Sequence, residues 1–316
     1  MIVTCRYHLA KGGRLLSAPI ASTTKILNLN HEETIRALGI AGSGAGGLRR
    51  NNGTMTKPLH AGNAARNGVL AAIISQKGFV GTQEVFEGVF GFCQCFCGSE
   101  GYDLKSMTEK LGKTYEFLTP KIGPKRYPAC MSNHRSLDAI FNLIEHHKLD
   151  PETVVKVECG VSKNVMDHLF YLRPQKGMEG KFSLQYCMAI ALLDGKVGLE
   201  QFSDKKLNDP RVHEFIEKIS VYEHPELKGQ PLGKKEFSEV TVHLKDGQTF
   251  SNRVGLARGR PSNPLEYDEI VSKYRECARR ILSNADIEKL LEMVEHLEDF
   301  DDISELTDIM RYNTAS

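Results

Sequence analysis

GTMTKPLHAGNAARNGVLAA, residues 53–72, is the stretch on which the fold of this chain turns. A polar turn holding two hydroxyls and a lysine gives way at Pro58, a residue suited to a first helical position, to a long alanine-rich run. Ala61, Ala64, Ala65, Gly68 and Ala72 recur at helical spacing, which predicts a helix that another helix can approach closely. Such a helix belongs in an interior. Upstream, Thr34 to Ala45 reads as a second helix broken by Gly46 and Gly47, and further helices are expected at 82–92 and 104–111.

From about Lys113 the pattern changes to short β-rich pieces alternating with helices. Strands are expected at Thr114–Leu118 and Thr153–Gly160, and a hairpin across Val240–Phe250 around the turn Asp246-Gly247. Helices at Ser136–His147 and Met178–Leu193 would pack against them. After Pro264 the chain reads as helical again, with Asn263 as N-cap and Pro264 at N1. Ser283 starts another helix, with Asp286 placed as in a capping box and an apolar stripe of Ile287, Leu290, Leu291, Val294 and Leu297. The fold class is therefore α+β. Residues 1–120 form a first helical part, 121–256 an α+β domain, and 257–316 a C-terminal helical part, so that one domain is inserted into another.

Composition narrows the function. The 316 residues carry 41 Lys plus Arg against 40 Asp plus Glu, so no global field draws the protein to nucleic acid or an anionic membrane. Any anion must be held by a local cluster. The most apolar stretch, 182–193, is too short for a bilayer, so no membrane partner is expected. Eight cysteines are too few for a disulfide scaffold, which makes a reducing, cytoplasmic compartment the default. The acid-free first 31 residues keep a mitochondrial destination as the alternative. Cys93, Cys95 and Cys97 lack the paired spacing of a zinc site, and no metal is expected. Gly42, Gly44 and Gly47 satisfy GxGxxG, but no strand precedes them and Gly62–Leu70 carries no acid, so close helix packing explains them better than a nucleotide.

Three segments carry chemistry. Thr54, Thr56 and Lys57 precede unpaired helix N–H groups and together can hold a carboxylate or phosphate, with His60 on the same turn. The competing reading is a capped helix with a surface lysine. KRYPACMSNH, residues 125–134, groups Lys125, Arg126, Cys130 and His134 around a Tyr-Pro turn and suits a multiply charged anion, against a plain basic turn. A nucleophilic Cys130 would need His134 as its base. Tyr186, inside the apolar run 181–195, is either a core tyrosine or a site group.

Taken in order, ALGIAGSGAGGL (37–48), GTMTKPLHAGNAARNGVLAA (53–72), the KRYPAC and NH positions (125–134), KFSLQYCMAIALLDG (181–195) and the NPL at 263–265 resemble the MmgE/PrpD family. That family includes 2-methylcitrate dehydratases, cis-aconitate decarboxylases and iminodisuccinate epimerases. The resemblance implies a sequence-split all-helical domain with an inserted α+β lid, a homodimer, a site in the cleft between domain and lid, and no cofactor. It places the family's site lysine on Lys57, the lid lysine on Lys125, the Cys-or-His site position on Cys130 and the site tyrosine on Tyr186. His60 and His134 also match motif positions, and His8 is the nearest counterpart of a further site histidine. Family members are usually longer at the N-terminus, in a segment that carries more site residues. An incomplete or inactive chain with uncovered apolar faces, prone to aggregation or unusual oligomers, is one expectation.

The leading functional expectation is a hydro-lyase resembling 2-methylcitrate dehydratase, acting on a small di- or tricarboxylate by removing a proton next to a carboxylate. Lys57 and Lys125 would stabilise the charge that develops, Thr54, Thr56, Cys130 and His134 would hold substrate, and Tyr186, His60 or His8 would move protons. A decarboxylase or epimerase on the same scaffold, or an inactive member acting only by binding, are the alternatives.

Overall fold

The computed structural model describes residues 19–98, 101–109, 111–113, 123–230 and 236–311. The expected strand at Thr114–Leu118 and the candidate His8 lie outside them. The chain divides into two compact units, residues 1–118 and 119–316. Residues 257–311 group with the sheet-containing unit. Among the described residues no helix is long and apolar enough to cross a membrane.

The first unit is built on two helices, α1 (His31–Gly42) and α2 (Thr56–Gln76). Helix α1 starts where Asn30 and Glu33 cap each other's backbone in a capping box, three residues earlier than the alanine pattern suggested. Small residues then let the helices close: Ala37 and Ala41 pack with Ala71 and Ile20, and the Ser75 hydroxyl donates to the Glu33 carbonyl at 2.7 Å. A Cβ on Gly68 would lie 2.9 Å from Pro19 Cβ and 3.1 Å from the Ile20 nitrogen, so only glycine fits there. The buried stripe is shorter than its spacing suggests, however. Gly68 and Ala72 are buried, but Ala61 and Ala65 are exposed, as are Leu70 and Ile73 on the opposite side. Helix α2 is therefore half surface. The glycines at 42, 44 and 47 do serve close packing: a Cβ would meet Val85 Cγ2 at 2.6 Å, Asn67 Nδ2 at 2.8 Å and the His60 ring at 3.1 Å, respectively. The helix expected at 82–92 is absent. Gly88 and Gly91 turn the chain back so that the Phe92 N–H reaches the Val85 carbonyl at 2.6 Å, and helix forms only over Phe92–Cys97.

The second unit holds a four-stranded sheet in the order β2-β1-β3-β4, with β1 (Val154–Val161), β2 (Ile219–Glu223), β3 (Ser238–Leu244) and β4 (Thr249–Val254). The Asp246-Gly247 turn joins antiparallel β3 and β4, and Gly247 takes φ of 87°, as that turn demands. Strand β2 has no counterpart in the sequence pattern. It pairs parallel to β1, Val157 opposite Ile219, after helix α5 (Pro210–Glu217). Helix α3 (His134–His147) lies over β3 and β4, and α4 (Leu184–Asp194) packs beside α3 and β2. Nearly every residue of α4 is buried, as a helix apolar on all sides requires. The expected single helix over Met178–Leu193 is broken at Lys181–Ser183, where the Ser183 hydroxyl accepts the Tyr186 N–H at 3.1 Å and caps α4.

Beyond the sheet run α6 (Tyr267–Ala278) and α7 (Asn284–Glu295). Asn263 does not cap α6. Its amide donates to the Leu256 carbonyl at 3.0 Å, and Glu266 with Glu269 forms the cap three residues later. Ser283 caps α7 as expected, although Met293 replaces the exposed Val294 in the buried stripe. Ile140 sits fully buried between α4 and the sheet. Truncation to Ala should remove about 2–5 kcal/mol of stability through the cavity it leaves. A urea titration should show a lower midpoint with unchanged slope.

Candidate functional site

In the first unit the candidate residues crowd the start of α2. Thr54 closes a turn by donating its hydroxyl to the Asn51 carbonyl at 2.8 Å, then accepts the Thr56 N–H at 3.2 Å, while its own carbonyl takes the Lys57 N–H at 3.3 Å. Pro58, third in the helix, has no N–H to offer. The expectation that open helix amides would help grip an anion is thus corrected. Thr54 and Pro58 leave no open backbone donor among the first three helical residues. Its side chain is exposed on the first turn, as is Thr56. His60 is half-buried, its ring against Gly47, whose φ of 130° lets the backbone pass this close.

In the second unit the loop 123–133 is fastened from three sides, and Asp138 on α3 is the central fastening. This buried carboxylate accepts from the Tyr127 hydroxyl at 2.8 Å, the Arg258 N–H at 2.8 Å and Arg126 Nη1 at 3.4 Å. Arg126 also reaches Glu269 at 3.6 Å, and Glu269 pairs with Arg258. Lys273 Nζ donates to the Lys125 carbonyl at 2.6 Å. Burial raises the Asp138 pKa despite these three donors, and it drives the Tyr127 hydroxyl well above its ordinary range. Lys125 is exposed and turns its ammonium to the Ala129 carbonyl at 2.9 Å.

Cys130 is tied to the start of α4. Its N–H donates to the Lys181 carbonyl at 2.9 Å, and Asn133 Nδ2 donates to the same oxygen at 3.1 Å. Tyr186 supports that segment from beneath. A Cβ on Gly180 would lie 2.9 Å from its ring, and its hydroxyl donates to the Gln201 carbonyl. Tyr186 is fully buried, and burial raises its pKa. His134 departs from expectation in the same way. The ring is fully buried, among the described residues neither nitrogen has a hydrogen-bond partner, and it meets the Tyr127 ring edge-on at 5.1 Å. It therefore neither serves Cys130 as a base nor presents a surface to substrate. Burial first, then the positive charges of Lys125 and Arg260, lower its pKa to about 3, partly offset by the Tyr127 and Ala129 carbonyls facing it.

Sequence reasoning missed Asp138, the Lys181 carbonyl and the cations Arg258 and Lys273. One signal was available: a carboxylate at residue 138 between Leu137 and Ala139, inside a buried helix face, requires partners.

Residues 11–105 match the MmgE/PrpD N-terminal domain and residues 127–299 the MmgE/PrpD C-terminal domain. The chain is 32% identical over 305 residues to cis-aconitate decarboxylase of Homo sapiens, covering 95% of this chain and 61% of that protein. The Mus musculus protein of the same name is 31% identical over 304 residues, with the same coverage of 95% and 61%. The 2-methylcitrate dehydratase of Escherichia coli (strain K12) is 23% identical over 312 residues, covering 88% of this chain and 60% of that protein. The chain thus spans about three fifths of the length of these relatives.

A histidine whose pKa drops from 6.5 unfolded to about 3 folded binds its proton mainly in the unfolded state between those values. The stability this contributes is fully present above pH 6.5 and is lost as pH falls toward 3. The slope is about 1.4 kcal/mol per pH unit. Urea unfolding of His134→Leu against wild type between pH 6.5 and 4 should show that slope removed; parallel curves would refute the neutral, buried histidine.

Proposed function

Because the chain belongs to the MmgE/PrpD family, we propose that it is a cofactor-free lyase of small polycarboxylates, of the cis-aconitate decarboxylase type. The observation that carries this reading is the 32% identity to the human decarboxylase over 95% of the chain, against 23% to the dehydratase. It revises the hydro-lyase expectation, which stands as the second reading through the same family.

Both reactions place the same demand on the protein. In decarboxylation the bond to the departing carboxylate breaks, CO2 leaves, the electron pair spreads onto a neighbouring carboxylate, and a proton taken up at carbon completes the product. In dehydration a proton leaves the carbon beside a carboxylate, the pair forms the double bond, and the hydroxyl departs as water with a proton. Either way negative charge accumulates on carboxylate oxygens and calls for fixed cations. Lys57 and Lys125 meet that demand in this proposal, with Thr56 and Cys130 as further substrate contacts and His60 as the proton carrier. Thr54 acts by shaping the turn before Lys57, and Tyr186 and His134 by holding the Cys130 loop. A homodimer belongs to the same reading, supported by the exposed apolar side chains of Leu59, Leu70 and Ile73.

The test is CO2 release from cis-aconitate and dehydration of 2-methylcitrate by purified protein. Lys57→Ala and Lys125→Ala, each with wild-type circular dichroism, should lower kcat by about 100-fold or more on the acid that is turned over. Wild-type rates in either variant would remove that lysine from the mechanism, and a wild-type protein inert toward both acids would overturn the enzyme reading.

A further inference from the structure

The loop that carries Lys125 is surrounded by guanidinium groups, and most of them are engaged. Arg126 pairs with Asp138 and Glu269, Arg135 with Glu236 at 3.2 Å, and Arg258 with Glu269. Arg260 is exposed and, among the described residues, has no carboxylate within ion-pair distance. An arginine left unpaired beside a cluster of other cations is unfavourable unless an anion joins them.

Its place in the fold is set by backbone contact. Gly259 takes φ of 80°, and a Cβ there would strike the Pro124 carbonyl oxygen. A Cβ on Gly123 would in turn strike the Gly259 oxygen and lie 3.4 Å from the Arg260 carbonyl carbon. A tight turn locks residues 259–263: the Asn263 N–H donates to the Arg260 carbonyl at 2.8 Å, and the Gly259 N–H to the Asn263 carbonyl at 2.9 Å. Arg260 is thereby held against the two residues that precede Lys125. Its charge and that of Lys125 both act on the buried His134 ring, and it adds to the lowering of the Arg135 pKa that burial chiefly causes, so the three cations share one region.

We propose that Arg260 is a second cation of the carboxylate-binding site beside Lys125, taking one carboxylate in its planar fork and favouring tricarboxylates over dicarboxylates. This assignment rests on the polycarboxylate reading above and names the substrate class within it.

The experiment compares wild type, Arg260→Gln and Arg260→Lys by calorimetric titration with cis-aconitate and with succinate, alongside KM and kcat on the acid that is turned over. Loss of a charge-assisted, two-point contact should weaken cis-aconitate binding about 10–100-fold in Arg260→Gln. Succinate affinity should stay within about twofold, and KM should rise far more than kcat. Arg260→Lys, which keeps the charge but not the fork, should fall between. Unaltered cis-aconitate affinity in Arg260→Gln overturns the role, and so do equal losses for both acids, which would mark a diffuse field and not a third-carboxylate contact. Failure of the wild type to bind either acid is a different result, and it overturns the polycarboxylate reading itself.

Discussion

The second unit depends on keeping one carboxylate charged in a place where charge is unfavourable. Asp138 lies on the buried face of α3, and its two oxygens accept from a tyrosine hydroxyl, an arginine side chain and a backbone amide. Buried charges are tolerated only when so surrounded, and removing one partner exposes the others to the full desolvation penalty. Each donor comes from a segment with no regular structure of its own: Arg126 and Tyr127 from the basic loop, Arg258 from the chain after β4. The carboxylate therefore converts two irregular segments into fixed geometry, and Lys125 and Arg260 inherit their positions from it.

In each unit, several residues that look chemical are taken up by packing and backbone bonds. Tyr186 spends its hydroxyl on Gln201 and its ring on Gly180, which holds the Lys181 carbonyl where it grips Cys130 and Asn133. His134 fills space beside Tyr127 as a neutral ring. Thr54 consumes the amides that a helix start usually offers to anions. In the second unit the exposed candidates Lys125 and Arg260 are an ammonium and a guanidinium group, suited to opposing negative charge.

Much of the architecture was legible wherever a local rule acts without help from distant residues. Asp246-Gly247 specifies its turn by backbone preference, and Ser283 specifies a helix start by its hydroxyl. The rest was set by tertiary contacts. Strand β2 is a short edge strand with Ile219 as its buried anchor, so no alternation marks it. The segment 82–91 has the composition of a helix, but Gly88 and Gly91 fold it back onto Val85. Asn263 has the chemistry of a cap and uses it on Leu256 instead. For the candidate site, residue types and spacing singled out the segments at 53–60 and 125–134. Which side chains are reachable was hidden, because burial of Tyr186 and His134 follows from α4 and α3 packing on each other and on the sheet.

The bond between the Asp138 carboxylate and the Arg258 amide spans 120 positions of sequence. Joining such distant stretches is entropically demanding, and topologies rich in these closures fold slowly. On the ribosome, the basic loop must wait for the polypeptide beyond β4 before it can take its working shape. Until then Asp138 has Tyr127 and Arg126 but lacks the backbone amide that completes its set of donors, so the fixed geometry of the basic loop is late to set.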